Sequence, residues 1–425
     1  MVIVKVIAFI YFLAPLISVS TILLEKIYVK KINKVKVKKY VDIYVLLPAL
    51  KEQKIVKETI DWFSNIKYKG KIKYVIITTE KEEEEYRKKG LEELTTNSMV
   101  NEYLKIKKDK RFMHLHYPEI KGNKSSQMNY AVNILSKNIK DKKNTYISVF
   151  DFDSQPNLDV FEQLNKVAAY KNNPQVIQQV PMNIKNYVQT SKKSVLMTMY
   201  ALQHLVRSIA IEKYKLLLCS LTKVKIPQYL MGACMHIRLD TLLKNDLFPI
   251  FVDDLTLGYR YSIKGYNFSY LPSYNFSLIP NDLTGYFGSA TLIFKGILTY
   301  LSEIKNAKRN IFRKFNMLLF GTFNILEFSF IPFMYLAFYL YTILTNNYNI
   351  IFMIMLLTPI LFSLSSYIVL KSYKIKKDNK CISLLAILLS PFWFIFRPVG
   401  SFKYLIKKFA STFFKKELEF AKTKR

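Results

Sequence analysis

Apolar and polar residues follow three patterns along this chain, and the first of them predicts a membrane anchor. Residues 2–24 are apolar except for Lys5, and a run of 23 residues is long enough to cross a bilayer as one tilted helix. Residues 25–40 then carry seven lysines and one glutamate. Because positive charge beside a span marks its cytoplasmic side, we expect a transmembrane helix over 1–24 and a basic linker over 25–40 on the inner face.

The second pattern begins at Asp42, where short apolar runs alternate with amphipathic stretches. The runs that predict strands are 43–47, 73–77, 111–117 and 146–150. The stretches that predict helices are 52–66, 81–89 and 125–136. Strands alternating with helices favour an α/β domain with a mostly parallel sheet that is covered on both faces. No Gly-x-Gly-x-x-Gly follows the first strand, which disfavours a dinucleotide-binding fold.

The third pattern is a return to apolar sequence in the C-terminal part of the chain. Residues 315–344 and 349–370 are each long enough to span a bilayer. Residues 381–396 are apolar for only 16 positions and contain Pro391, and a span there would place the basic tail outside the cell. We therefore expect 381–396 to be re-entrant or interfacial, within a membrane region and basic tail over 315–425. Residues 283–314 predict helices lying on the membrane surface.

The charge balance is strongly basic, and its distribution separates the possible partners. The net charge is +33, which suits nucleic acid, anionic lipid or a phosphorylated substrate. Because the lysines concentrate beside the apolar segments, nucleic acid binding is disfavoured. The small number of spans, without paired charges inside them, disfavours a transporter.

The cysteines and histidines give no metal signature. Cys219, Cys234 and Cys381 are far apart and predict free thiols in a reducing compartment. His114 and His116 alternate within a predicted strand and have no third ligand near them in sequence. A strand face is therefore favoured there over a metal pair.

Two carboxylates end the fourth predicted strand, in the stretch Phe150-Asp151-Phe152-Asp153-Ser154. Side chains two residues apart on a strand point the same way, and like charges that close repel unless a cation lies between them. Hard oxygen ligands suit Mg²⁺ or Mn²⁺, which also bind phosphates. Such a pair is common and, taken alone, is more often a solvated strand end; the alternative is a metal and phosphate site at the ligand-binding edge of a parallel sheet.

Four further stretches accompany this pair in a definite order. They are Pro48-Ala49-Leu50-Lys51-Glu52, the helix start Lys121–Ala131 with Lys124, Met231-Gly232-Ala233-Cys234-Met235, and Phe251–Arg260 with its Asp253-Asp254 pair. In this order they resemble the membrane-bound family 2 glycosyltransferases with the GT-A fold, whose members include the synthases of hyaluronan, cellulose and poly-N-acetylglucosamine. The resemblance covers residues 42–300 together with the membrane topology.

The resemblance implies a GT-A domain over 41–282, with a mixed, mostly parallel sheet. It implies nucleotide binding by Ala49, Glu52, Glu80, Lys124 and Asp151. It also implies metal binding by Asp153 and Asp151, a general base at Asp254, and acceptor-side roles for Asp253 and Gly232. The chemistry agrees, since a divalent cation stabilises a diphosphate leaving group and a carboxylate can remove the proton of an acceptor hydroxyl.

The implied function is inverting transfer of a hexosyl group from a nucleotide-diphospho-sugar, with UDP as the expected nucleotide. The implied cofactor is Mg²⁺ or Mn²⁺, and the acceptor is lipid-linked or a glycan. The expected location is the plasma membrane, with several spans and a cytosolic catalytic domain. An oligomer or an accessory export protein is left open.

Two departures from the family pattern keep other functions open. Ser289, Leu292 and Ile293 stand where the family carries Gln, Arg and Trp of a Gln-x-x-Arg-Trp motif, which holds the acceptor in processive synthases. The second strand ends in Thr78-Thr79-Glu80, where many relatives have Asp-Asp. A processive polysaccharide synthase and a catalytically degenerate membrane scaffold are therefore the alternatives to a transferase that adds one or a few sugars.

Overall fold

A computed structural model of the chain describes residues 2–250, 253–280, 282–308, 310–346, 350–373 and 380–414. The chain divides into two compact units. The first, termed the sheet unit, comprises Tyr28–Pro181 and Cys219–Ser277. The second, termed the helical unit, comprises Met1–Ile27, Met182–Leu218 and Leu278–Arg425.

The sheet unit is built on a seven-stranded sheet. The strands of the chain are β1 (Asp42–Pro48), β2 (Ile72–Thr79), β3 (Phe112–Tyr117), β4 (Thr145–Phe150), β5 (Gln155–Pro156), β6 (Val176–Gln178), β7 (Pro181–Asn183), β8 (Cys234–Arg238), β9 (Phe268–Tyr270) and β10 (Asn275–Ser277). The order in the large sheet is β3-β2-β1-β4-β8-β6-β9. Only β8 runs antiparallel to its neighbours β4 and β6 among these seven described strands. The predicted α/β class with a mixed, mostly parallel sheet is confirmed.

The central strands are apolar on both faces because helices cover both faces of the sheet. The five middle residues of β1 and all six residues of β4 are buried. Parallel strands that are buried on both faces have continuous apolar sequences rather than alternating apolar and polar ones. Aromatic side chains fill the layer beneath, with the Phe63 and Phe150 rings 5.8 Å apart and those of Phe150 and Phe161 6.3 Å apart.

Along the sequence, the helices of the sheet unit connect its strands. They are α2 (Val56–Asn65), α3 (Glu80–Lys89), α4 (Thr96–Lys107), α5 (Lys124–Ser136), α6 (Val160–Tyr170), α10 (Leu239–Leu243) and α11 (Asp253–Lys264), with short 3₁₀ turns at Gln53–Ile55 and Lys142–Asn144. The helices predicted over 52–66, 81–89 and 125–136 correspond to α2, α3 and α5. Helix α4 was not predicted, although Met99, Val100, Tyr103 and Leu104 follow helical spacing.

The helical unit contains the remaining helices. They are α1 (Val2–Asn33), α7 (Tyr187–Lys193), α8 (Val195–Arg207), α9 (Tyr214–Leu221), α12 (Leu283–Leu298), α13 (Tyr300–Asn306), α14 (Ile311–Ser329), α15 (Ile331–Leu344), α16 (Ile350–Ser372), α17 (Lys380–Leu389) and α18 (Arg397–Phe414), with a π-helical turn at Ser208–Lys213 and a 3₁₀ segment at Ser390–Phe396. The division between the units falls inside α1 and α9. Within the described ranges, three segments are long and apolar enough to cross a membrane: Phe12–Asn33, Phe352–Ser372 and Leu384–Ser411.

The first of these segments extends beyond the predicted span. Helix α1 continues to Asn33, so residues 25–33 of the predicted basic linker are helical. Glu25 does not end the helix because it is buried and paired inside the helical unit. The Lys213 ammonium group donates to both Glu25 carboxylate oxygens, at 3.1 and 3.0 Å.

The segment predicted to span over 315–344 is divided. Helix α14 ends at Ser329 and α15 begins at Ile331. Pro332 lies in the first turn of α15, where its missing N–H group cannot continue the α14 hydrogen-bond pattern. Neither piece is among the three described segments that are long and apolar enough to cross a membrane.

Residues 381–396, predicted to be re-entrant or interfacial, begin a longer helical run. The 3₁₀ segment after α17 leads directly into α18, so the apolar stretch continues past its predicted end. Length therefore no longer argues against a span here. The end of the basic tail, residues 415–425, lies outside the described residues.

The predicted domain over 41–282 also differs from the division in the structure. Residues 182–218 belong to the helical unit, although they lie inside the predicted boundaries. Helix α8 explains this, since nine of its 13 residues are buried and it packs against α17 and the 3₁₀ segment that follows α17. An apolar helix of this kind is buried among other helices.

Candidate functional site

Two loops of the sheet unit lie side by side because β4 and β8 are antiparallel. Phe150 at the end of β4 pairs with Cys234 at the start of β8. The residues after β4, Asp151 to Asp153, therefore lie beside the residues before β8, Gly232 and Ala233. This juxtaposition brings together two stretches that are about eighty residues apart in the sequence.

Lys124 links these two loops from the N-terminus of α5. Asn123 caps this helix by accepting from the Ser126 N–H group at 3.1 Å, which fixes where Lys124 begins it. The Lys124 Nζ atom lies 2.6 Å from Asp151 Oδ1 and 3.4 Å from the Gly232 carbonyl oxygen. A cation is disfavoured at the positive end of a helix dipole, and the Asp151 carboxylate offsets that cost.

Asp254 reaches the same loop from the first turn of α11. Its Oδ2 atom accepts from the Gly232 N–H group at 2.8 Å, and its Oδ1 atom accepts from the Leu255 N–H group at 2.7 Å. Burial raises the pKa of the Asp254 carboxyl group above its usual value, although the Gly232 N–H group and the Lys124 charge act in the opposite direction. The nearby Asp151 charge adds to the increase. A carboxylate in this setting is more basic than an ordinary aspartate.

Two glycines allow α11 to approach this loop. A β-carbon on Gly258, one turn after Asp254, would lie 2.3 Å from the Leu230 nitrogen atom. A β-carbon on Gly232 would lie 3.0 Å from Asp254 Oδ2. The approach at Gly258 requires a residue without a β-carbon, and the contact at Gly232 is tighter than most β-carbon contacts. The Leu-Gly of the Asp253–Gly258 motif therefore has a packing role that brings Asp254 to Gly232.

The segment that leads into α11 is held by α5 as well. The Asn129 side chain donates to the Phe248 carbonyl oxygen and accepts from the Phe248 N–H group, both at 2.9 Å. Residues 251–252 of the predicted motif lie outside the described residues, as does the side chain of Asp253, the first residue of α11.

Asp151 and Asp153 supply the carboxylates that could hold a metal ion. Asp153 is 7% exposed and Asp151 is half-buried beside Lys124. Across the part of the chain that the structure describes, His, Cys, Asp and Glu side chains form no group of three or more that could hold a metal by themselves. Two carboxylates fit Mg²⁺ or Mn²⁺ when phosphate oxygens and waters complete the coordination, which is the usual arrangement for nucleotide-bound ions.

Ala49 and Glu52 lie in the loop that follows β1, the strand next to β4. Ala49 is 1% exposed, and its N–H group donates to the Ile77 carbonyl oxygen at 2.9 Å. Glu52 is half-buried, and its N–H group donates to Thr96 Oγ1 at 2.9 Å. Both residues are thus at the predicted edge of the sheet, one strand away from the Asp151 loop.

Glu80 stands farther along the same edge, after β2. Strand β2 is two positions from β4, which corresponds to about 10 Å. The Glu80 carboxylate lies 3.0 Å from His116 Nε2 and 3.2 Å from an Arg87 guanidinium nitrogen. The hydrogen bond with His116 lowers the pKa of the Glu80 carboxyl group. The described contacts of Glu80 are therefore with this pair, and they do not join the group around Asp254.

His114 and His116 lie on β3, as predicted, and belong to a polar network that joins β3 to β2. Thr78 Oγ1 lies 2.8 Å from His114 Nε2 and 3.0 Å from His116 Nδ1, and His114 Nδ1 lies 2.8 Å from Asn101 Oδ1. Burial lowers the pKa of His114 to about 4, which keeps its ring neutral at pH 7. Cys219 and Cys234 are free thiols, as predicted.

Sequence reasoning missed two buried amides that fix the loop before β8. Gln178 accepts from the Met231 N–H group at 3.2 Å and donates to the Cys234 carbonyl oxygen at 2.9 Å. Asn275 donates to the Ala233 carbonyl oxygen at 3.0 Å and to Ser154 Oγ at 3.2 Å. A fully buried amide must find hydrogen-bond partners, so Gln178, a polar residue ending a short apolar strand, gave an available signal, whereas Asn275 begins β10 and gave none.

The chain matches no family model and no curated protein. Among solved structures it is similar to the mannosyltransferase PcManGT from Pyrobaculum calidifontis, solved in complex with GDP-Man and Mn²⁺. The identity is 13% and the TM-score 0.47, and the match covers 95% of this chain and 99% of that one.

Proposed function

We propose that this protein is a metal-dependent glycosyltransferase that moves a sugar from a nucleotide-diphospho-sugar to a membrane-associated acceptor. One observation carries the proposal: Lys124, Asp151, Gly232 and Asp254, from four distant stretches, form one hydrogen-bonded group at the end of β4. The group combines a cation that suits phosphate, on Lys124, with a carboxylate that suits a metal ion, on Asp151. A separate, more basic carboxylate on Asp254 suits proton transfer.

The carboxylates of Asp151 and Asp153 would hold Mg²⁺ or Mn²⁺ together with the donor diphosphate. When bound, the ion stabilises the negative charge that develops on the leaving nucleoside diphosphate. The Lys124 ammonium group, 2.6 Å from Asp151, would add a second positive charge on the same side. Glu52 and Ala49, in the loop after β1, would meet the nucleotide base. These roles follow the family resemblance, and the residues lie at the edge of the sheet that they require.

Asp254 is the proposed general base. The hydroxyl of an acceptor sugar has a high pKa, so a basic carboxylate helps to remove its proton as the new bond forms. Displacement assisted in this way from the face opposite the diphosphate inverts the sugar centre. The raised pKa of Asp254 and its neutral Gly232 and Leu255 donors support this role. Gly232 and Asp253 would then stand on the acceptor side.

The proposed products are short. The positions where processive relatives carry Gln, Arg and Trp hold Ser289, Leu292 and Ile293 on α12. The Ser289 hydroxyl donates to the Gly285 carbonyl oxygen at 3.1 Å, and apolar Leu292 and Ile293 offer no group that pairs with a diphosphate. We therefore propose transfer of one or a few sugars to a lipid-linked or glycan acceptor near the headgroups. A basic stretch, Lys305–Lys314, suits an anionic lipid there, although Arg309 lies outside the described residues.

The test uses the purified full-length protein in lipid nanodiscs with a panel of UDP- and GDP-sugars. Release of nucleoside diphosphate is measured with Mn²⁺, with Mg²⁺ and with a chelator, and the product is sized after lipid extraction. We expect metal-dependent release from one donor class and a short, lipid-extractable product. A polymer of high molecular weight would favour the processive synthase. Folded protein without release from any donor would favour the degenerate scaffold.

The proposed placement is the plasma membrane with a cytosolic sheet unit. The three segments long and apolar enough to cross a membrane support a membrane protein, and the lysines after α1 support the orientation. Protease protection in oriented vesicles tests it. Cleavage sites of the sheet unit on the outer face would contradict the orientation.

A further inference from the structure

Glu82 is a buried carboxylate that the proposed chemistry does not use. It lies in the first turn of α3 and is only 2% exposed. Its Oε2 atom accepts from the Lys51 N–H group at 2.7 Å. Its Oε1 atom accepts from Gln53 Nε2 at 2.8 Å, from the Thr96 N–H group at 2.8 Å and from Thr96 Oγ1 at 2.9 Å. Burying a carboxylate is costly unless donors surround it, and here four donors from two other segments do so.

The donors of Glu82 fix the loop that follows β1. Lys51 has φ 59°, a left-handed conformation that is disfavoured for residues with a β-carbon. The Lys51 N–H group is held in this conformation by Glu82. Thr96 Oγ1 donates to Glu82 and accepts from the Glu52 N–H group at 2.9 Å. Glu82 therefore anchors two successive peptide groups of the loop, one directly and one through Thr96.

We propose that Glu82 is a positioning residue that shapes the loop Ala49–Gln53 to receive the nucleotide base, and that it determines donor affinity rather than turnover. The proposal rests on the proposed function, in which Glu52 meets the base. The Glu82 carboxylate is occupied by protein donors, so it acts through Lys51 and Glu52. The hydrogen bonds described for the group around Asp254 do not involve Glu82. The rate of the chemical step is therefore expected to be unaffected by a change at Glu82.

The first experiment compares E82Q with E84Q in the full-length protein. A glutamine puts an amide N–H group where donors now point, which disrupts the loop while keeping the side-chain shape. Glu84 is in the same helical turn and pairs with Arg87 at 2.6 Å and Lys88 at 3.3 Å, so E84Q removes the same charge without touching the loop. Binding of UDP and of GDP, each with Mn²⁺, is measured by calorimetry, and KM and kcat are measured with the corresponding donor sugar.

We expect E82Q to weaken binding of the preferred nucleotide about tenfold and to raise KM equally, which is the effect of a lost hydrogen bond to a charged group. Its kcat is expected to stay within about twofold of the wild type, because the interaction lost is uniform binding. E84Q is expected to change neither quantity by more than about twofold, since exposed ion pairs contribute little.

A second pair keeps the test valid if E82Q does not fold. Thr96 is fully buried, and T96S keeps the hydroxyl that bridges Glu82 to Glu52, whereas T96V removes it at nearly constant shape. We expect wild-type affinity for T96S and weakened nucleotide binding for T96V. Unchanged binding in T96V, and in E82Q if that variant folds, or a fall in kcat with unchanged affinity, would overturn the role of Glu82 and leave the proposed function standing. Wild-type protein that binds neither UDP nor GDP would overturn both.

Discussion

Glu80 and Asp254 stand at the same edge of one sheet, but their pKa values are dominated by opposite effects. Glu80 follows β2 and contacts two groups that carry or can carry positive charge, His116 at 3.0 Å and Arg87 at 3.2 Å. Asp254 contacts two neutral peptide N–H groups, those of Gly232 and Leu255. The pKa of Glu80 is lowered by its hydrogen bond with His116, and the pKa of Asp254 is raised by burial.

The difference explains why only one of these two acids is suited to proton transfer. A carboxylate paired with cations has little affinity for a proton, so it makes a poor base. A desolvated carboxylate held by neutral donors keeps a defined orientation and gains basicity. The comparison favours Asp254 as the proposed base, and we propose that Glu80 serves the local structure of β2 and β3.

Asp254→Asn removes the basic oxygen and keeps the shape of the side chain. We expect turnover to fall about 10²–10⁴-fold, the usual cost of losing a general base, while nucleotide affinity stays near that of the wild type. Steady-state kinetics and calorimetry with the preferred nucleotide provide the two quantities. If Asp253→Asn is the more damaging of the two changes and Asp254→Asn is mild, the base has been assigned to the wrong residue.

Asp153→Asn tests the metal end of the group. The donor diphosphate is expected to lose its Mn²⁺-dependent binding, with turnover falling about a hundredfold because the ion supplies several kcal/mol to the transition state. Titration of activity against Mn²⁺ at fixed donor concentration measures this. An unchanged metal requirement in Asp153→Asn would refute the role.

Gly258→Ala tests whether close packing of α11 positions Asp254. The added methyl group would lie 2.3 Å from the Leu230 nitrogen and 2.5 Å from the Tyr229 α-carbon, so α11 must move. We expect turnover to fall about 10–100-fold, the effect of a small misplacement of a reacting group, with nucleotide affinity kept. Gly288→Ala on α12 is the control, because nothing lies within 4 Å of its added β-carbon. Equal effects of the two substitutions would contradict the packing role.

The pH dependence of turnover reports the pKa of Asp254 directly. Only the ionised carboxylate accepts a proton, so activity falls about tenfold per pH unit below its pKa. Because burial raises this pKa, the acid limb is expected above the ordinary aspartate value of about 3.9. The limb should be absent from the residual activity of Asp254→Asn. An acid limb that persists there belongs to another group.

The sequence was sufficient for the elements whose apolar pattern is local. β1, β2, β3 and β4 were predicted because each is a short run rich in apolar residues, and α5 because its sequence is amphipathic. Asp151 and Asp153 at the end of β4 stood out in the sequence, because two close carboxylates repel each other unless a cation lies between them.

Other features depend on contacts that are remote in sequence. Strand β8 lies antiparallel between β4 and β6, which places Gly232 beside Asp151. The local sequence Cys234–Arg238 does not indicate the direction of this strand. In the sequence, Glu82 is one of several acids in a charged helix. Its buried role depends on hydrogen-bond donors from α4 and from the loop after β1, which are remote in sequence. The pairing of Glu80 with His116 likewise requires β2 and β3 to be neighbours in register. Electrostatic roles therefore could not be separated from sequence alone.

Glu80→Gln is the smallest and most discriminating change. The lowered pKa of Glu80 means that its ionised form stabilises the folded state above the unfolded pKa of about 4.3, and this contribution disappears as pH falls through the folded pKa. Arg87 is largely exposed, so the contribution at pH 7 is expected to be less than about 1 kcal/mol. The variant should unfold at a slightly lower temperature than the wild type at pH 7, and this difference should shrink as the pH falls below about 4.3 and vanish only below the folded pKa of Glu80. Its turnover and nucleotide affinity should stay within about twofold of the wild type, because the carboxylate serves β2 and β3.

A large loss of nucleotide affinity in Glu80→Gln would instead support the base-binding role implied by the family resemblance. In that case His116 and Arg87 would be partners that hold a ligand-binding carboxylate, and the contrast between Glu80 and Asp254 would be one between two parts of the same substrate site.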